Sequence, residues 1–99
     1  MILEQATLHV RSGLEDDFVA AFGEAKAIIA AMPGFLGLTL SRCLERDGLF
    51  LLLVRWETLE HHTEGFRGSP EYQKWRRALH HFYDPFPEVL HFEAVDRQG

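Results

Sequence analysis

The sequence predicts a single α+β domain over residues 1–99, with the ferredoxin-like order strand, helix, strand, strand, helical region, strand. This order closes into a four-stranded antiparallel sheet with its helices on one face. Three observations carry the prediction. An alternating segment at residues 2–10 leads into a stripe of apolar residues at helical spacing, Phe18, Phe22, Ala25, Ile29 and Met32. Asp47-Gly48 then separates two strand-like segments, as a hairpin turn does. Finally, Ser69-Pro70 opens a second helix that Asp84-Pro85-Phe86-Pro87 closes before a last apolar segment.

In the first strand, Leu3, Gln5, Thr7 and His9 share one face, and Ile2, Glu4, Ala6, Leu8 and Val10 share the other, mainly apolar one. Ser12 stands three residues before Glu15, the spacing of a capping box at the start of the first helix. Glu15 and Asp16 suit the positive end of the helix dipole, and Pro33-Gly34 ends the helix. Residues 35–44 read as a strand with Leu36, Leu38 and Leu40 on one face. Residues 49–56 read as an almost wholly apolar strand, which implies cover on both faces. One face can pack on the chain's own helices. No element is left for the other, and this predicts a homodimer. Thr58 caps a short helix at residues 59–66, and Tyr72, Trp75, Leu79 and Phe82 form the stripe of the second helix. Residues 88–95 are the last strand. Two such sheets packed face to face about a two-fold axis would bury both bare faces.

A chain of 99 residues with 46% apolar and 25% charged content is an ordinary globular domain. A net charge of -5 speaks against nucleic acid and against anionic membrane as partners. The one cysteine, Cys43, leaves no internal disulfide and is expected to be a buried, inert thiol in a strand. The N-terminus lacks the pattern of a signal peptide, and the longest apolar stretch is too short to span a bilayer. A cytoplasmic location is therefore expected. The six histidines show no His-x-x-x-His spacing, and neighbours on a helix point about 100° apart, so no metal site is expected.

From Trp56 onward the sequence resembles a known family. The run Trp56-Glu57-Thr58-Leu59-Glu60-His61-His62, then Gly65-Phe66-Arg67-Gly68-Ser69-Pro70-Glu71-Tyr72-Gln73-Lys74-Trp75, is similar to the antibiotic biosynthesis monooxygenases, as is the ending from His80 to Phe92. The resemblance covers nearly the whole chain and implies a dimeric α+β barrel. Its members include cofactor-free monooxygenases of polycyclic aromatic compounds as well as haem-degrading enzymes. The haem-degrading pattern places an asparagine, a tryptophan and a ligating histidine where this chain aligns Gln5, Phe66 and Arg76, so haem binding or breakdown ranks third among the readings. The wider family carries histidines where this chain has Phe66 and Glu71. That departure supports a rival reading, a non-catalytic dimer that binds a small ligand or serves as a scaffold.

Oxygenation without metal or flavin needs a substrate that can itself give an electron to O2, as a deprotonated phenol or hydroquinone does. The protein then supplies an apolar pocket, a base and a donor for the developing oxyanion. The resemblance thus implies a cofactor-independent monooxygenase acting on a small aromatic or quinol-like molecule. Phe66, Tyr72 and Trp75 would line the pocket, Arg76 would anchor an acidic or phenolate group, and His9, His80 or His91 would be the base. Each has an ordinary alternative. Tyr72 and Trp75 also fit plain core packing, Arg76 a surface charge, and a strand histidine a structural role. His80 flanks the Trp75–Leu79 stripe and His81 points away from it. At least one of His61 and His62 is expected to be exposed. His9 and His91 enter the cavity if their strand faces look toward the helices, and the dimer interface if they look away.

Overall fold

A computed structural model describes all residues from Met1 to Gly99. The elements are β1 (Ile2–His9), α1 (Glu15–Ala30), β2 (Phe35–Arg42), β3 (Leu49–Trp56), a π-helix (His61–Phe66), α2 (Pro70–Leu79), a 3-10 turn (His80–Phe82) and β4 (Val89–Phe92). The sheet order is β2-β3-β1-β4, with every neighbouring pair antiparallel. This is the predicted ferredoxin-like α+β arrangement, with the helices on one face. No helix is long and apolar enough to cross a membrane.

Pairing register assigns the faces. Ala6 lies opposite Leu52 and Val89, and Glu4 opposite Val54 and His91, so these residues share the face covered by helices. Glu4, Ala6 and Leu8 of β1 and Phe50, Leu52, Val54 and Trp56 of β3 are buried there. From α1, Phe18, Phe22, Ala25 and Ile29 pack onto them, as the helical spacing requires. Phe18 is central. It meets Phe50 and Phe82 edge-on at ring-centroid distances of 5.2 and 5.8 Å, a favoured aromatic geometry. Met32 belongs to the stripe in sequence but lies beyond the end of α1, half-buried against the same core.

Local chemistry explains several element boundaries and corrects others. Ser69 caps α2 as expected: its hydroxyl accepts from Tyr72 N–H at 3.2 Å and donates to the Phe66 carbonyl at 2.6 Å, with Pro70 in the first turn. Ser12 does not cap α1. Gly13 turns with a φ of +87°, leaving Ser12 outside the helix, and the Glu15 carboxylate accepts from Gly13 N–H instead. The Asp47-Gly48 pair does not form a two-residue turn, because only Gly48 has positive φ. The strands end at Arg42 and resume at Leu49, and Gly48 is bound to the residue that follows β1, its carbonyl accepting from Val10 N–H at 2.8 Å. Cys43 therefore sits half-buried in this loop and not within a strand. β4 is shorter than the expected 88–95.

Candidate functional site

A cavity of about 340 Å³ lies between the helix-covered face of the sheet and the segment running from the π-helix to β4. Its floor is Ala6 and Leu8 of β1 and Leu52 of β3. Its walls are largely aromatic: Phe66, Tyr72, Trp75, Tyr83 and Phe86. Phe66 meets Tyr72 and Trp75 edge-on at 5.3 and 5.9 Å, so the α2 stripe and the π-helix form one continuous wall. The volume lies at the small end of ligand pockets, about 300–1,000 Å³, and suits a molecule of one or two rings.

Polar groups stand at two ends of this cavity. At one end, Glu4 is buried on the face it shares with Ala6 and Leu8, and Trp56 Nε1–H donates to its Oε1 at 2.9 Å. The ring of His62, only 2% exposed, stacks on Trp56 at a centroid distance of 5.4 Å. Its Nε2 lies 3.3 Å from Glu4 Oε1, and its Nδ1 lies 2.7 Å from Nε2 of His91 on β4. The π-helix makes this reach possible. Arg67 N–H bonds back to the His62 carbonyl at 3.0 Å, five residues earlier, and the widened turn carries both His62 and Phe66 inward. Burial raises the pKa of Glu4, against the opposing effects of the Trp56 hydrogen bond and the Arg67 charge. Burial, then the charges of Arg67 and His91, lowers that of His62 to about 3. The close Glu4–His62 contact would be an ion pair if the imidazole were charged. We read it as a proton-sharing contact, because desolvation opposes the charged form of both partners.

At the other end stands His80, in edge-on contact with Tyr72 at 6.0 Å and Phe86 at 5.1 Å. Its Nδ1 is buried and has no hydrogen-bond partner. Burial, then the nearby Arg76 charge, lowers its pKa, which favours the neutral ring. Tyr83, between His80 and the end of β1, has its phenol pKa raised by burial, with Tyr72 adding to the effect.

The structure thus brings Phe66, Tyr72, Trp75 and His80 to one cavity and sets His91 behind His62. It places two of the sequence-derived candidates elsewhere. His9 is exposed on the opposite sheet face, beside Gln5 and Thr7, since alternation from buried Leu8 turns it outward. Arg76 is exposed on α2, outside the cavity wall, and acts on His80 only through its charge. Neither His61 nor His62 is fully exposed. His61 is half-buried, its ring against Gly34, whose positive φ and missing Cβ leave the space, and it bonds to the Thr58 hydroxyl at 2.8 Å. The sequence reading missed Glu4, His62 and Arg67. For Glu4 a signal was present: a carboxylate in the middle of an apolar strand face must be exposed at an edge or partnered inside.

The family model described as antibiotic biosynthesis monooxygenase matches residues 1–78. The uncharacterised protein YczJ of Bacillus subtilis (strain 168) is 55% identical over 95 residues, covering 96% of this chain and 100% of the relative. A crystal structure from Bordetella bronchiseptica, described as a candidate antibiotic biosynthesis monooxygenase, superposes with a TM-score of 0.91 at 33% identity, covering 95% of this chain and 96% of that one. SnoaB of Streptomyces nogalater, a cofactor-independent oxygenase, shares the fold with a TM-score of 0.84 at 21% identity, over 97% of this chain and 94% of its own. With the family model matched over most of its length, the chain belongs to the antibiotic biosynthesis monooxygenase family.

Proposed function

We propose that this protein is a cofactor-independent monooxygenase that oxidises a small aromatic, quinol-like substrate with O2, and that it works as a homodimer. The observation that carries the reading is the aromatic cavity with the His80 imidazole in its lining. A phenolic O–H can donate to a neutral imidazole in such a lining, and its deprotonation makes the ring electron-rich enough to reduce O2. Phe66 and Trp75 would hold the ring and exclude water. The shared fold with SnoaB supports the oxygenase class. The overall conversion needs no external reductant: a hydroquinone plus O2 gives a hydroxyquinone plus water, one oxygen atom entering the ring and the other leaving reduced.

The dimer is supported by the open sheet face. Leu90 and Phe92 are 46% and 45% exposed there, alongside the half-buried Leu3, Leu51 and Leu53. An apolar face of this extent marks an interaction surface. The test of activity is isotopic. Protein stripped of metal and flavin is supplied with a naphthohydroquinone and 18O2. One 18O atom in a hydroxyquinone product is expected. A product without 18O, or no protein-dependent product across a broad hydroquinone panel, would overturn the reading in favour of a non-catalytic ligand-binding dimer.

A further inference from the structure

Four groups at one end of the cavity form a continuous polar line that runs from its largely aromatic wall, at Glu4 and His62, to His91 behind it. Trp56 Nε1–H holds Glu4 Oε1 at 2.9 Å, His62 Nε2 lies 3.3 Å from the same oxygen, and His62 Nδ1 lies 2.7 Å from His91 Nε2. Glu4 and His62 line the cavity and are buried, whereas His91 is only partly buried on the edge strand β4. The line therefore begins at the ligand space and ends toward solvent. Each imidazole uses one ring nitrogen toward the cavity side, and His62 uses its second toward His91. This is the connectivity that a proton relay needs. A purely structural role for a buried carboxyl group would be met by the Trp56 hydrogen bond and would not require two imidazoles in series.

We infer that Glu4 is the carboxyl group that exchanges a proton with the ligand in the cavity, and that His62 and His91 conduct that proton between Glu4 and the surface. The inference deepens the oxygenase reading of the same cavity. With Glu4 protonated, its O–H donates to His62 Nε2, His62 Nδ1–H donates to His91 Nε2, and His91 carries its hydrogen on Nδ1. When a proton leaves His91 Nδ1 to water, the His62 Nδ1 proton moves to His91 Nε2 and the Glu4 proton moves to His62 Nε2. Glu4 is left as a carboxylate, ready to take the proton of the hydroquinone's second hydroxyl, the one directed away from His80. The reverse sequence returns a proton to the cavity when the reduced oxygen departs as water, so the cycle releases no net proton. Trp56 acts as a positioning residue, fixing the carboxyl oxygen that faces His62. The charged or titratable groups around the line are Arg67 from the π-helix side, which bears on Glu4, His62 and His91 alike, and His80 at the far end of the cavity.

The test is 15N NMR of histidine-labelled protein across a pH series, which reads the protonated nitrogen of each ring without turnover. In the wild type, His62 and His91 are expected to switch together, at one midpoint, from Nδ1–H to Nε2–H as pH rises. In Glu4→Gln the side-chain oxygen held by Trp56 accepts only, so both rings should stay in the Nε2–H form throughout. Independent titrations in the wild type, or an unchanged joint switch in E4Q, would overturn the relay. The kinetic arm uses His91→Ala with a hydroquinone and O2. It should lower kcat by about 10²-fold, with KM little changed and kcat recovered by added imidazole. H91A turnover equal to wild type would also overturn it. Absence of turnover in the wild type would count against the oxygenase reading, and the NMR series would still decide the relay.

Discussion

At Glu4 a carboxyl group occupies a strand face otherwise given to Ala6 and Leu8, and at His62 an imidazole is folded inward from a helix that begins at the surface. Their titration sets the direction in which acid acts on stability. The pKa of His62 is lowered to about 3 from 6.5, so between those values the unfolded chain binds more protons than the folded one. The stabilisation is full above pH 6.5 and is lost as pH falls through this window. His80 and His91 are shifted in the same direction. Glu4 is shifted upward and works the other way: its contribution is present below 4.5 and lost as pH rises from there to its folded value. The unfolding free energy measured in urea should therefore fall between about pH 7 and pH 5, and His62→Phe should flatten that slope by up to about 1.4 kcal/mol per pH unit. An unaltered slope would contradict the burial of a neutral His62. His80 offers a contrast, since its Nδ1 is buried without a partner. His80→Phe should leave stability unchanged or raise it by about 1 kcal/mol, while hydroquinone turnover falls. A matched loss of both would mean that His80 is a packing residue.

Among the elements, those legible in the sequence are governed by local chemistry. Ser69-Pro70 specifies the start of α2 through one hydroxyl and one fixed φ, and the structure realises both. Ser69→Ala should cost about 1 kcal/mol in urea unfolding, because it removes the bond to Tyr72 N–H and the one to the Phe66 carbonyl. A change near zero would show that the cavity wall does not depend on this cap. Ser12 carries the same kind of signal and fails, since Gly13 turns the chain before the helix begins. Asp47-Gly48 fails as a tight turn because Gly48 is tied to Val10, which is remote in sequence. The π-helix had no local signature at all. Its extra residue per turn is stabilised by His62 meeting Glu4, 58 positions away in sequence, and His91 on the last strand. The aromatic wall was legible for a different reason: Tyr72 and Trp75 share a helical stripe, and period alone puts them on one side. Which face His9 and His91 occupy depends on sheet register, and the pairing of Glu4 with His91 settles it.

For the molecule as a whole, the sheet divides the chain into a covered face that holds the cavity and an open face rich in leucine. Arg55 lies on that open face, its guanidinium filling the space over Gly37 where a Cβ would collide. The homodimer reading predicts that the protein sediments as a dimer and that Leu53→Lys, placed in the middle of the open face, sediments as a monomer with the cavity intact. A wild-type monomer at micromolar concentration would contradict it. The central claim concerns the cavity itself, and its most direct test is oxygen consumption by protein stripped of metal and flavin, with a small naphthohydroquinone as substrate. Wild type is compared with Ala6→Phe, which fills the cavity from its floor. The account predicts protein-dependent uptake by the wild type and background uptake by the filled variant. Equal uptake by a folded A6F, or none by the wild type, would contradict it.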